Sequence, residues 1–279
     1  MAPMDAATRE RLAHILILVR RMTQVFDVGI EREGLHALHG NSEVLVCVSL
    51  FREGPQRPRD LQEVAGLTSG GLTKLVDRLE TAGLVQRGVR RGEVDGRAVE
   101  VRLMPAGRHA VVRMLQVIDD SRGDCRPLAK EIVQLVEACG GGPNPDIESC
   151  GELLVCITRL GSLLVDAVAG APDAAPSIEY TSVLVLCHAE LEGGCRPGGL
   201  MDLLDLSSGG VTKLLDRLES DGLVRREYGS VDTDRRAVVV TATAQGRRVM
   251  LRALTRVARH LDEMWLVNQW LAEGDTPPH

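Results

Sequence analysis

The segment Ser69-Gly70-Gly71-Leu72-Thr73-Lys74-Leu75-Val76-Asp77-Arg78-Leu79-Glu80 combines residue types suited to one kind of chemistry, the holding of an anionic backbone. At about 100° per residue, Leu72, Leu75, Val76 and Leu79 make one apolar face and leave Gly70, Thr73, Lys74, Asp77, Arg78 and Thr81 on the other arc. A helix that opens Ser-Gly-Gly brings its first amides and its positive dipole end close to a phosphate with no side chain in the way. Lys74 adds a charge on the same arc. Lys, Arg and Thr at such positions can touch phosphate, guanine or a thymine methyl. Taken alone, the arc reads equally well as a solvated helix face with Asp77 paired to a nearby arginine.

The segment returns 139 residues later as Ser208-Gly209-Gly210-Val211-Thr212-Lys213-Leu214-Leu215-Asp216-Arg217-Leu218-Glu219. The same offset carries Arg57-Pro58 onto Arg196-Pro197, Gly83-Leu84-Val85 onto Gly222-Leu223-Val224, Asp95 onto Asp234, Arg97-Ala98-Val99 onto Arg236-Ala237-Val238 and Gly107-Arg108 onto Gly246-Arg247. Two copies of one domain follow, since a solenoid would need three or more short repeats. The boundaries read as a first domain over 1–138, a Gly/Pro linker over 139–147 and a second domain over 148–279. Beside each candidate helix the charge is positive in a chain of net charge −6. Gln86 to Arg113 holds seven arginines against Glu93, Asp95 and Glu100, and Val224 to Arg252 holds seven against Glu227, Asp232 and Asp234. That coincidence in both copies favours DNA contact over a merely solvated face.

The elements that must position these residues follow from periodicity. Leu12, Ile15, Leu16, Val19, Met22 and Phe26 fall at helical spacing, as do Leu153, Ile157, Leu160, Leu164 and Val168, and predict a long amphipathic helix at the start of each copy. A second helix follows Asn41-Ser42, or Tyr180-Thr181. Pro58 and Pro197 suit the first turn of a third, with Gly66 ending it in the first copy. Thr68-Ser69 and Ser207-Ser208 can cap the fourth. After Gly83 and Gly222 the pattern predicts a two-stranded hairpin, Leu84 to Arg90 with Arg97 to Leu103, and Leu223 to Tyr228 with Arg236 to Ala242. The first copy closes with helices from Ala106 to Ile118 and from Leu128 to Ala138, broken at Gly123. The second closes with one run from about Gln245 to Leu271.

These residues resemble the MarR, or multiple antibiotic resistance regulator, family of winged helix-turn-helix transcription regulators. The resemblance lies in the Ser-Gly-Gly-x-Thr-Lys-Leu-x-Asp-Arg-Leu-Glu helix, the following Gly-Leu-Val, the Asp-x-Arg-Ala wing and the Gly-Arg at the next helix start, all twice, over residues 57–108 and 196–247. It implies a mainly α fold with small β wings (α+β): two winged helix-turn-helix domains in tandem, forming a single-chain pseudo-dimer joined by amphipathic N- and C-terminal helices. It implies double-stranded DNA as partner, with the fourth helix of each copy in the major groove and the wing arginines near the minor groove. The DNA-binding residues are then Ser69, Gly70, Gly71, Thr73, Lys74, Arg78, Arg90, Arg91 and Arg97, with Ser208, Gly209, Gly210, Thr212, Lys213, Arg217, Arg235 and Arg236. The wings differ, since Asp234-Arg235-Arg236 stands against Asp95-Gly96-Arg97, and unequal wing contributions are expected. The resemblance further implies a ligand-responsive repressor whose small-molecule effector is an aromatic acid or phenolic. The runner-up is a winged-helix protein-interaction module that has lost DNA binding.

Other chemistry is poorly served. No nucleophile–base constellation, phosphate-binding loop or dinucleotide fingerprint occurs, so neither an enzyme nor a cofactor is expected, and Gly140-Gly141-Gly142 lacks the lysine a phosphate loop needs. His36-x-x-His39 with Glu31 and Glu33 has no counterpart in the second copy and no cysteine at ligand spacing, so no metal is expected. The seven cysteines form no C-x-x-C pair, and Cys47 and Cys187 fall at apolar helix positions that suit inert buried thiols. Aromatics make up only 2% of the chain, too few for a single-strand stacking platform, and Trp265 and Trp270 read as core or interface anchors. With no apolar run of membrane length and no secretory pattern at Met1 to Asp5, a cytoplasmic location is expected.

Overall fold

The computed structural model describes residues 4–38, 41–89, 99–144, 180–228 and 238–273. Helix α1 (Ala6–Arg32) opens at Asp5, whose carboxylate accepts the Thr8 amide and hydroxyl, each at 2.8 Å. Those bonds hold the Asp5 carboxyl below its ordinary pKa. Leu12, Ile15, Leu16, Val19 and Met22 are buried as the spacing predicts. Ile17 and Leu18 are buried as well, so this stretch of α1 is covered all round.

The first helix-turn-helix and wing comprise α2 (Asn41–Glu53), α3 (Pro58–Ala65), α4 (Ser69–Thr81), β1 (Val85–Val89), β2 (Val99–Leu103) and α5 (Pro105–Asp120), followed by α6 (Arg122–Ala138). The second set comprises α7 (Tyr180–Leu191), α8 (Pro197–Leu204), α9 (Ser208–Ser220), β3 (Val224–Tyr228), β4 (Val238–Ala242), α10 (Ala244–Val257) and α11 (Leu261–Glu273). The fold is mostly helical with two antiparallel two-stranded sheets, the composition of two winged helix-turn-helix domains in tandem. The registers are equivalent, from Val85↔Leu103 to Val89↔Val99 and from Val224↔Ala242 to Tyr228↔Val238. A further bridge, Gln56↔Val101 and Cys195↔Val240, ties the start of the turn to the return strand in each. The second copy's predicted helix from Leu153 to Val168 lies outside the described residues.

Two closing elements depart from the periodicity reading. The first copy's chain turns at Ser121, which C-caps α5, and Gly123 lies inside α6 rather than breaking it. The glycine penalty is one of backbone entropy in a helix interior, and Gly123 stands in the first turn instead. Pro127 is likewise carried within α6. The second copy's last run is not continuous: a 3-10 turn over Ala258–His260 separates α10 from α11. Asp262 and Glu263 occupy the first turn of α11, where carboxylates favour a new helix start.

The contacts divide the described chain into two units that are discontinuous in sequence. One gathers residues 4–24, 127–144 and 180–272, the other residues 25–126, so α1 and α6 each contribute to both. The core of the latter unit runs from Ile30 and Leu38 through Val46, Val48, Leu61, Leu72, Leu75 and Leu79 to Val101, Val111 and Met114. In the former unit, Arg20 of α1 donates to the carbonyls of Leu203 at 3.2 Å and Leu204 at 3.1 Å, and Gln24 donates to that of Asp202 at 2.7 Å. A guanidinium thus caps the C-terminal end of α8, where the helix dipole is negative. Asp262 receives the Gly142 amide at 3.1 Å and the Asn144 side-chain amide at 2.9 Å, and the Trp265 indole donates to Glu137 at 2.9 Å.

Candidate nucleic-acid interface

The fourth helix of each set, α4 or α9, begins with a side-chain cap. Thr68 Oγ1 accepts the Gly71 amide and Ser207 Oγ the Gly210 amide, both at 3.2 Å. The caps occupy the amides of Gly71 and Gly210. Ser69, Gly70, Ser208 and Gly209 lie in the first turn, where amides have no intrahelical acceptor. Leu72, Leu75, Val76 and Leu79 are buried, while Gly70, Thr73, Lys74, Asp77 and Arg78 are exposed. The equivalents Gly209, Thr212, Lys213, Asp216 and Arg217 are exposed in the same way. Thr73 and Thr212 donate their hydroxyls back to the carbonyls of Ser69 and Ser208, each at 2.9 Å. A Cβ built on Gly70 or Gly209 meets nothing within 4 Å, so internal packing does not require glycine there.

The helix end is built to return the chain into the wing. Gly83 and Gly222 take φ values of 71° and 68°, the left-handed conformation that favours glycine at a helix C-terminus. Gly107 and Gly246 explain the repeated Gly-Arg. A Cβ at either would collide with the carbonyl oxygen of Leu84 or Leu223, so the next helix can approach this turn only through a glycine.

The sequence reading passed over the residues that join helix to wing, Arg87 of β1 and Arg226 of β3. Arg87 pairs with Asp77 at 2.7 Å and with Glu80, donates to the Thr73 carbonyl at 3.1 Å, and its amide donates to Glu80 at 2.6 Å. Arg226 pairs with Asp216 at 2.6 Å and Glu219 at 3.7 Å, donates to the Thr212 carbonyl at 3.2 Å, and its amide donates to Glu219 at 3.1 Å. These pairs confirm the alternative reading of Asp77 without removing the cationic arc. In each copy one guanidinium offsets part of the charge of two carboxylates and fastens the first wing strand to the helix. The signal available in sequence was an arginine seven residues after the glutamate of Arg-Leu-Glu in both copies.

Lys74 and Lys213 remain exposed with no partner among the described residues. Arg78 pairs with Glu43 of α2, whereas Arg217 reaches the Ser182 hydroxyl of α7 at 3.5 Å. The wing arginines Arg90, Arg91, Arg97, Arg235 and Arg236 lie outside the described residues, as does His39. Cys47 and Cys187 are buried, and loss of solvation pushes both thiols up to about 12. Among the described residues no cluster of His, Cys, Asp and Glu could hold a metal ion, and no helix is long and apolar enough to cross a membrane.

The MarR family model matches the chain twice, over residues 41–99 and 178–238. Each match spans the helix-turn-helix and reaches across the hairpin to its return strand. The family is one of winged-helix transcription regulators that bind DNA. No curated protein matches the chain.

Proposed function

From the premise that this chain carries two MarR-family domains in tandem, we propose that it is a ligand-responsive repressor in which one chain supplies both recognition helices of a pseudo-dimer. The operator is near-palindromic, with half-site centres about one helical turn apart. The observation that carries this reading is the identity of the exposed arcs: Gly70, Thr73, Lys74, Asp77 and Arg78 on α4 against Gly209, Thr212, Lys213, Asp216 and Arg217 on α9, each behind a capped Ser-Gly-Gly turn. Identical arcs read identical base-pair edges. The effector is a small aromatic acid or phenolic that weakens DNA binding.

The test is fluorescence anisotropy of the full chain with genomic fragments selected for binding, against scrambled competitor, at two salt concentrations. Tight, competitor-resistant binding at one chain per site, with two similar protected half-sites in a footprint, is expected. Equal binding to both DNAs, or a single protected half-site, overturns the reading. Gly70→Ala and Gly209→Ala separate contact from folding. Alanine raises helix propensity, by up to about 1 kcal/mol in a helix interior and less in this first turn, and meets no neighbour, so melting temperature holds or rises. The added methyl obstructs phosphate approach and lowers DNA affinity. Unchanged affinity in both variants would remove the first turn from the interface.

A further inference from the structure

Helix α10 and the 3-10 turn after it carry Arg248, Arg252, Arg256 and Arg259 and not one Asp or Glu, in a chain of net charge −6. The spacing of four, four and three residues places the four side chains within an arc of roughly 80°, in a row about 16 Å long. The opposite face, Gly246, Met250, Ala253, Leu254 and Val257, is buried. Arg248, Arg252 and Arg259 are exposed and Arg256 is half-buried, and none of the four has a hydrogen-bond or ion-pair partner among the described residues. The carboxylates that follow are engaged elsewhere, Asp262 by Gly142 and Asn144 and Glu263 by His260. The fold does not call for such a row. Its equivalents in the first copy are His109, Arg113, Val117 and Asp120, and there Arg113 pairs with Glu33. Like charges at this spacing destabilise a helix, so the row is a cost to the folded chain until something neutralises it.

We propose that the arginine row of α10 is a docking surface for an acidic helical segment of a partner protein, with carboxylates at the matching i, i+4, i+8 and i+11 positions. Charge complementarity selects the partner. All four residues are arginine, whose planar fork meets a carboxylate through two parallel hydrogen bonds. A bilayer surface is poorly matched, because the apolar face of α10 is spent in the core and leaves nothing to insert. Single-stranded nucleic acid is poorly matched too, because α10 has no aromatic side chain on which bases could stack. The duplex proposed for α9 lies at the other end of the elements that lead to the row. Gly246 lies against the Leu223 carbonyl, just past the C-terminal end of α9, about 18 Å along that helix from its Ser-Gly-Gly turn. Ala242, two residues before α10, pairs with Val224 at the base of the hairpin, remote from its tip. The row therefore opens a second surface, which does not depend on DNA binding by α9.

The probe is a fluorescein-labelled helical peptide with glutamates at i, i+4, i+8 and i+11 on an alanine and glutamine background, beside an isomer whose glutamates are spread round the helix. Anisotropy is read for the full chain as wild type, Arg248→Gln/Arg252→Gln, Arg256→Gln/Arg259→Gln and Lys74→Gln/Lys213→Gln, with a melting curve for each. Wild type is expected to hold the patterned peptide about tenfold more tightly than the isomer, and each arginine double variant to lose about tenfold. Melting temperatures of the arginine variants hold or rise as like charges are removed. The lysine variant keeps wild-type affinity for the peptide, which attraction to any basic surface would not allow. Wild type that fails to separate the two peptides overturns the inference, as does an equal loss in the lysine and arginine variants. Self-association of wild type that vanishes in the arginine variants assigns the row to a second copy of the chain and overturns it too. If the arginine variants instead weaken binding to a preferred DNA fragment and lower the slope of log affinity against log salt by about two, the row is a phosphate contact and the inference falls. The DNA affinity of the lysine variant tests the regulatory reading separately.

Discussion

The two helix-turn-helix sets agree where they face outward and differ where they are supported. Both have the capped Ser-Gly-Gly turn, the same exposed arc, an arginine latch from the first wing strand and a glycine under the next helix. The supports were rebuilt. Arg108 lies over the Phe51 ring at 5.5 Å, while its equivalent Arg247 pairs with Glu190 at 2.9 Å. Helix α3 is locally self-sufficient, since Asp60 accepts the Arg57 amide at 3.3 Å and Gly66 ends it at φ 62°. Helix α8 has Gly199 in place of Asp60 and ends at Asp205, at φ 53°, and its last carbonyls are bound by Arg20 and Gln24 of α1. Two arcs that face the proposed DNA share one constraint, whereas a helix end needs only some donor, near or far.

The largest expected effect falls on the latch. Arg226→Ala strands Asp216 and Glu219 beside the proposed DNA face, and with Arg226 only 14% exposed it should cost about 2 kcal/mol of stability and more than tenfold in DNA affinity. Arg87 is 32% exposed, so Arg87→Ala should cost less in a thermal melt and a similar factor in affinity. Equal stability losses would break the burial argument, and intact affinity in both would separate latch from binding.

A smaller and one-sided effect belongs to the support. Arg20→Ala removes the cap of α8 and should cost about 1 kcal/mol. Hydrogen exchange should accelerate at residues 200–206 and remain unchanged at residues 61–67. Acceleration in both segments would sink the contrast between a distant and a local cap.

The smallest effect is shared by both sets. Burial raises the Cys47 and Cys187 thiols from 9.0 to about 12, so the folded chain keeps these protons when the unfolded chain loses them. Their contribution to stability is whole below about pH 9 and declines as pH rises from there toward 12, readable as a falling urea midpoint. Half-buried Cys139, raised less, should be alkylated by iodoacetamide before either. Rapid labelling of one buried thiol alone would reveal a domain that opens locally.

The framework of the candidate site was legible wherever its interactions are local. The caps at Thr68 and Ser207, proline at the start of α3 and α8, the left-handed Gly66 and the two hairpins all lie within a few residues of the groups they serve. Gly123 misled for a related reason: glycine signals a break only if its place in the helix is known, and Ser121 had already set that place. Arg87 and Arg226 were harder, because a strand residue facing a helix leaves no period in the sequence.

The repeat at a constant offset determined by itself that there are two domains of one kind, which faces of α4 and α9 are apolar, and where each begins and ends. Periodicity and capping are properties of consecutive residues, and the chain carries them wherever it folds. The tertiary structure alone decided that Arg20 meets Leu203, 183 positions away, that Glu43 holds Arg78, and that Asp262 receives the amide of Gly142. Such pairs exist only after distant surfaces have met. Many arginines and carboxylates could have formed them, and packing selects the few that do.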